Sequence, residues 1–198
     1  MRPTIHVSEQ LLESADLDRL PRQRYETNWA GARVDFQAEF TLALDSEFLH
    51  QKAWCGLEPD CDFSLAAGQF QAELWKRDVA ELFVLDPATG LYREWNLSPI
   101  GAWWTDRYIA ERQRDLSYEA ELNGVRTSGE ATEGKSGWIA QISIPRSEFG
   151  ELSSCRVNVP MIARGNFMSC CQESKHEPDF HNIQAFPAPV LCSIDGKF

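Results

Sequence analysis

An alternation of period two dominates this chain. In the stretch ARVDFQAEFTLALD, Val34, Phe36, Ala38, Phe40, Leu42 and Leu44 alternate with Asp35, Gln37, Glu39 and Thr41. That is the pattern of a strand with one face on a core and the other toward water. It returns in Trp138, Ala140, Ile142 and Ile144, and again in Val157, Val159, Met161 and Ala163. The segment Val79–Leu85 is apolar on both faces apart from Glu81, which marks a central strand. A turn, Asp86-Pro87-Ala88-Thr89-Gly90, leads from it into a partner strand at 91–97. Segments 48–54, 63–65 and 190–194 read as further strands, and 118–122 runs into Asn123-Gly124, a strong hairpin signal. The stretch TDRYIAERQRDL is the one candidate for a short helix, and 127–137 reads as an exposed polar loop. Many short strands separated by turns, with no internal repeat, predict an all-β fold, an antiparallel β-sandwich of two packed sheets. One domain spans residues 1–198. Its first thirty residues form a helical or irregular lead-in, with Ser8 as candidate N-cap and Pro21 as stop.

Charge narrows the partners. A formal net charge of −11 sets up a field that repels nucleic acid and anionic membrane surfaces alike. No apolar run approaches the ~20 residues of a membrane span. The N-terminus turns acidic where a secretory signal would need an apolar stretch, so the sequence predicts a cytoplasmic protein. The six cysteines, Cys55, Cys61, Cys155, Cys170, Cys171 and Cys192, show no repeated C-x-x-C spacing and no zinc-ligand pattern. Buried free thiols are expected, with a Cys55–Cys61 disulfide as the alternative. The chain contains no G-x-S-x-G, P-loop or H-E-x-x-H motif.

Residues 73–104 carry the most chemistry. Glu81 shares a strand face with Val79, Phe83 and Leu85, and a lone buried carboxylate costs several kcal/mol unless it is hydrogen-bonded or paired. A four-residue turn places Glu81 opposite Asn96; a five-residue turn places it opposite Trp95. The structural alternative is an ion pair with Arg77 or Arg93. Trp75 directly precedes the central strand, on a connection, where a surface platform is expected more than a core residue. Trp103 and Trp104 follow Pro99 and Gly101 in what reads as another loop, while Trp95 and Trp138 belong to the core. Sugar rings present apolar C–H faces rimmed by hydroxyls. Their sites therefore combine flat aromatic surfaces with a few charged or amide groups at the edge. Trp75, Arg77, Glu81 and Asn96 make such a set, with Trp103 as a further candidate. Glu81 and Glu94 could also be a glycosidase-like carboxylate pair, but nothing in the sequence fixes their separation. A non-catalytic binding protein is the stronger reading.

Four motifs in order give these residues a family likeness. The run Leu74-Trp75-Lys76-Arg77-Asp78-Val79-Ala80-Glu81-Leu82-Phe83 resembles the W-x-x-D-x-V/A-E-[IL]-F signature of carbohydrate-binding module family 9, part of the wider DOMON-like sandwich superfamily. Tyr92 to Pro99, with Gly101, is similar to that family's second strand. Gly137 to Pro145 resembles its G-W-x-x-E-x-x-I-P strand, with Arg156-Val157-Asn158-Val159 as the strand after it. Asp179-Phe180-His181 to Phe186 resembles its closing motif.

The resemblance covers roughly residues 70–194 and implies a jelly-roll-type sandwich holding a mono- or oligosaccharide between two aromatic rings. It places Trp75 on the first ring and Phe180 on the second, Glu81 on the acidic contact, and Asn96 where members can carry Arg. His181 adjoins the second ring. The family's N-terminal D-G-x-x-D-x-x-W opening is missing. Members often bind calcium, so calcium is admitted by resemblance, with no cofactor otherwise expected. Two other readings follow from the same residues. Some DOMON-like sandwiches hold haem through Met with His or Lys, for which Met161, Met168 and His181 are the candidates. A protein-interaction patch built from Trp75, Trp103 and Trp104 is the other.

Overall fold

In the computed structural model, which describes residues 1–171 and 177–194, two seven-stranded sheets pack face to face. The first runs in the order β14 (Val190–Ser193), β1 (Thr4–Val7), β3 (Ala38–Leu44), β4 (Phe48–Cys55), β10 (Trp138–Pro145) and β9 (Arg126–Ala131), with β2 (Gln23–Arg24) beside β3. The second runs β13 (Asn166–Met168), β12 (Met161–Ala163), β5 (Val79–Leu85), β6 (Tyr92–Leu97), β7 (Trp103–Ala110) and β8 (Gln113–Arg114), with β11 (Arg156–Asn158) also on β5. Among the described strands pairing is antiparallel except at β1, which lies parallel to both β3 and β14. No helix among the described residues is long and apolar enough to cross a membrane.

The alternation seen in the sequence builds the core between the sheets. Phe40, Leu42, Ala140, Ile142 and Trp138 from the first sheet meet Ala80, Leu82, Val84, Trp95 and Leu97 from the second. One polar side chain enters this layer for an identifiable reason. Pro160 faces Glu81 in the ladder and its carbonyl accepts the Glu81 N–H at 2.9 Å, but a proline has no N–H to return. The Gln51 amide, reaching across from β4, donates to the Glu81 carbonyl at 2.9 Å instead. The same proline divides the expected 157–163 strand into β11 and β12.

A second apolar layer lies on the outer face of the second sheet. Val79, Phe83, Tyr92, Trp104 and Tyr108 project there and are covered by Trp29, Leu74, Phe180 and Phe186. Loops thus roof this sheet rather than a third layer of regular structure.

Several elements depart from the sequence reading. Segment 63–65 is a turn, and 118–122 is irregular, although Asn123-Gly124 does turn the chain, with Gly124 at φ 83°. Stretch 127–137, read as a loop, supplies most of β9. Here Gly129 lets the strand approach the β6–β7 connection: a Cβ would overlap the Ile100 carbonyl carbon. The helix candidate TDRYIAERQRDL is instead β7 turning into β8 at Arg112, whose φ is 57°. Trp103 and Trp104 sit on β7, not in a loop, and adjacent strand residues point to opposite faces. The N-terminal segment is more integrated than a lead-in, because β1 inserts between β3 and β14. Its helix α1 (Ser14–Arg19) begins after Glu13, whose N–H is capped by the Asp16 carboxylate at 3.0 Å; Ser8 instead accepts the Gln10 N–H. Cys55 and Cys61 are buried free thiols rather than a disulfide, and burial raises both to about 11.

Candidate functional site

The outer face of the second sheet holds a cleft of about 390 Å³. Trp75, Phe83, Tyr108, Phe167 and Phe180 give it aromatic walls, and Glu81, Glu94, Arg112, Arg114 and His181 supply its polar groups.

Local structure explains each wall. Glu73 takes a left-handed conformation (φ 67°) and starts a single turn of 3₁₀ helix over Leu74–Lys76, which swings Trp75 over the sheet. Trp104 backs the Trp75 ring at 5.0 Å. Across the cleft, Phe180 rests edge-on against Trp29 at 5.6 Å and packs on Phe167 at 6.3 Å. Phe167 is delivered by the β12–β13 hairpin, whose turn residues Arg164 and Gly165 both have positive φ, 47° and 72°. Buried Asp78 fixes that hairpin in place, accepting the Arg164 N–H at 2.7 Å and the Asp60 N–H at 3.0 Å.

The floor is built by register. Asp86 pairs with Leu91, so the turn contains four residues, Pro87 to Gly90, and Glu81 stands opposite Asn96. Phe83 stands opposite Glu94, which places Glu94 diagonally across from Glu81 on the same face. Asn96 is fully buried and does not reach the cleft; its amide donates to Glu94 Oε1 at 2.8 Å. Tyr108 donates to Glu94 Oε2 at 2.7 Å. The Tyr92 hydroxyl accepts the Arg112 N–H at 2.9 Å and shares a hydrogen bond with His181 Nδ1 at 2.9 Å. The other ring nitrogen, Nε2, faces Glu94 Oε2 at 3.6 Å.

Electrostatics separates the two acids. Glu81 is 2% exposed and its Oε2 has no hydrogen-bond partner among the described residues. Burial, and then the charge of Glu94, push its carboxyl well above the usual range. Burial also raises Glu94, but Tyr108 and Asn96 hydrogen-bond its charged form and oppose the shift. Glu81 is therefore the acid whose proton the fold holds more firmly, and Glu94 the one whose charge is better supported. Burial, reinforced by Arg112, lowers His181 to about 4, so its ring is neutral.

Of the residues singled out in the sequence, Trp75, Glu81, Phe180 and His181 line this one cleft. Arg77 does not join them. It is exposed and paired with Asp60 at 3.0 Å, and Arg93 pairs with Glu148, so neither neutralises Glu81. Trp103 is also elsewhere, in the core between the sheets, its ring stacked near Trp95. Met161 and Met168 lie in that core too, on the opposite side of the sheet from His181, so neither converges with His181 for a haem. Among the described residues no group of three His, Cys, Asp or Glu side chains gathers to hold a metal, and no acidic cradle for calcium is formed.

Arg112, Arg114, Tyr108 and Phe167 were missed by sequence reasoning. The signal available for Tyr108 was its even spacing from Trp104. The turn at Arg112 left no comparable trace.

On the outer face of the first sheet, His50 contacts Ser143 Oγ at 2.8 Å and Asp45 at 2.9 Å. This has the composition of a nucleophilic triad without its setting. Ser143 sits mid-strand in β10, paired on both sides, so its neighbouring N–H groups are committed to the ladder rather than to an oxyanion. Asp45 also accepts N–H groups of Leu12, Glu47 and Phe48, which identifies a structural staple for the β3–β4 turn.

No family model and no curated protein matches the sequence. Solved structures do match it. A candidate carbohydrate-binding protein from Bacteroides uniformis superposes with a TM-score of 0.68 at 16% identity, covering 98% of this chain and 100% of that one. A carbohydrate-binding module of family 9 from Caldicellulosiruptor kristjanssonii, in complex with glucose, gives 0.62 at 11% identity over 98% of each chain. The module from the same organism in complex with cellotriose gives 0.61 at 10% identity over 100% of this chain and 96% of that one. At such identities the likeness establishes the fold: the chain has a two-sheet sandwich like that of family 9 modules.

Proposed function

We propose that this protein binds a small saccharide, without chemical change, in the cleft between Trp75 and Phe180. The observation that carries the reading is the composition of that cleft: buttressed aromatic walls over a floor of buried carboxyl groups beside a half-buried imidazole. An apolar sugar face stacks on Trp75, and hydroxyls at the ring edge find Glu94, Glu81 and the guanidinium groups of Arg112 and Arg114. The rings are held before ligand arrives, because Trp104, Trp29 and Phe167 pack behind them; preorganisation limits the entropy lost on binding.

Three features support this reading. The sequence motifs place Trp75 and Phe180 on the two rings of family 9 sites, the fold agrees, and structures of that fold are known in complex with glucose and cellotriose. Binding rather than hydrolysis fits the position of the acids. Glu81 and Glu94 project from adjacent strands of one floor, whereas glycosidases place an acid and a base or nucleophile on either side of the scissile bond.

A thermal-shift screen against mono- and disaccharides tests the proposal. Even a millimolar site raises the melting temperature at tens of millimolar ligand, because stabilisation grows as RT ln(1 + [L]/Kd). No shift with any saccharide in the panel would refute it.

A further inference from the structure

Among the described residues no arginine or lysine forms an ion pair with either floor acid, and this points to the chemistry of the ligand. Each arginine at the cleft already has a partner. Arg112 pairs with Asp179 at 2.6 Å, and Arg114 pairs with Asp106 at 2.9 Å while lying 4.9 Å over the Trp104 ring. His181 is neutral, its Nδ1 taken by Tyr92. Tyr108 and Tyr92 are neutral donors, since burial raises both hydroxyls above their ordinary range. Glu94 has only the neutral donors Asn96 and Tyr108, and Glu81 Oε2, which is buried in the lining of the cleft, has no hydrogen-bond partner among the described residues.

The walls around these acids are ring faces, and the face of an aromatic ring attracts a cation. A carboxyl pair under aromatic walls suits an ammonium group better than a hydroxyl. The hydroxyl leaves both acids competing for one proton, whereas the ammonium allows both to ionise. We propose that the ligand of this cleft is an amino sugar, its ammonium group seated between Glu81 and Glu94. The inference rests on the saccharide reading above and names the substrate class of the same site.

Seating the ammonium lets the acid pair give up the proton that burial holds on it, and the ligand keeps its own three N–H protons. One proton therefore leaves to solvent on binding. Affinity rises with pH until the free amine loses its charge.

Isothermal titration of the full chain with glucosamine, glucose and N-acetylglucosamine, in two buffers of different ionisation enthalpy, tests this. The expected result is glucosamine binding at least ten-fold tighter than glucose, with proton release, and N-acetylglucosamine behaving like glucose because its nitrogen is uncharged. Glu81→Gln is expected to remove both the preference and the proton release, with its melting curve confirming the fold. Glucose binding as tightly as glucosamine would overturn the amino-sugar inference and leave the saccharide reading standing. Binding by none of the three would overturn the amino-sugar inference, and the thermal-shift panel would then decide the saccharide reading.

Discussion

Replacing Glu81 by glutamine isolates the charge of the cleft floor from its shape. Glu81 is 2% exposed, and burial and the charge of Glu94 raise its carboxyl above the ordinary carboxylate range. The folded chain then keeps a proton that the unfolded chain releases above a pH of about 4.3. The native state binds more protons, so stability is complete below that pH and declines as pH rises toward the folded pKa. The decline amounts to about 1.4 kcal/mol for each pH unit over which folded Glu81 remains protonated. Glutamine has no proton to lose, so Glu81→Gln should gain on the wild type by that amount per unit. For a chain of 198 residues this is roughly 3–6 °C of melting temperature per pH unit. A glutamine amide could also donate to Asn96 Oδ1, which lacks a partner, but that offset is independent of pH. The slope is therefore the readout. Melting curves of both proteins from pH 5 to pH 8 supply it. A difference that stays constant across this range would show that Glu81 is ionised or solvated in the fold, and the electrostatic account of the floor would fail.

Three other perturbations test the frame around the site. Gln51→Leu keeps volume but leaves the Glu81 carbonyl without the donor that Pro160 cannot supply, and should cost about 1–3 kcal/mol in urea unfolding; a neutral result would mean that carbonyl is satisfied otherwise. Gly129→Ala forces a methyl against the Ile100–Gly101 backbone and should destabilise by about 1–3 kcal/mol or more, visible as a lower melting temperature. Asp45→Ala strands His50 and three backbone N–H groups, a loss of about 2–4 kcal/mol at neutral pH. Burial acts to raise Asp45, but the hydrogen bonds from His50, Leu12, Glu47 and Phe48 outweigh it and lower the carboxyl. The wild-type advantage from that charge is present at neutral pH and shrinks in acid, which stability curves at several pH values would show.

How much of this was legible depended on burial. Strands β5 and β10, each with a clear apolar pattern and a turn residue at its end, could be read directly. The turn narrowed the partner of Glu81 to Asn96 or Trp95, because a sheet allows only discrete slips, and the Asp86–Leu91 pairing selects Asn96. Strand β9, RTSGEA, could not be read: it is an edge strand with no large apolar residue, and its glycine serves close approach rather than a turn. Trp103 and Trp104 look alike in sequence, yet one enters the core and the other backs the cleft, a division that period two dictates once β7 is recognised as a strand. Arg112 and Arg114 reach the site through a tight β7–β8 turn whose charge pattern imitates a helix. Trp75 and Phe180 were legible from motif likeness, whereas the supports behind them, Trp29 and Phe167, are contributed from distant segments and carry no local signal.

The central claim is that Trp75 forms one wall of a saccharide site, and titration of Trp75→Ala beside the wild type tests it most directly. Trp75 is partly exposed and rests on Trp104, so its removal should leave the melting temperature within a few degrees of the wild type. For whichever saccharide stabilises the wild type, the variant should bind at least ten-fold more weakly by calorimetry, a loss of about 1.4 kcal/mol or more. A folded Trp75→Ala that binds with unchanged affinity would contradict the claim.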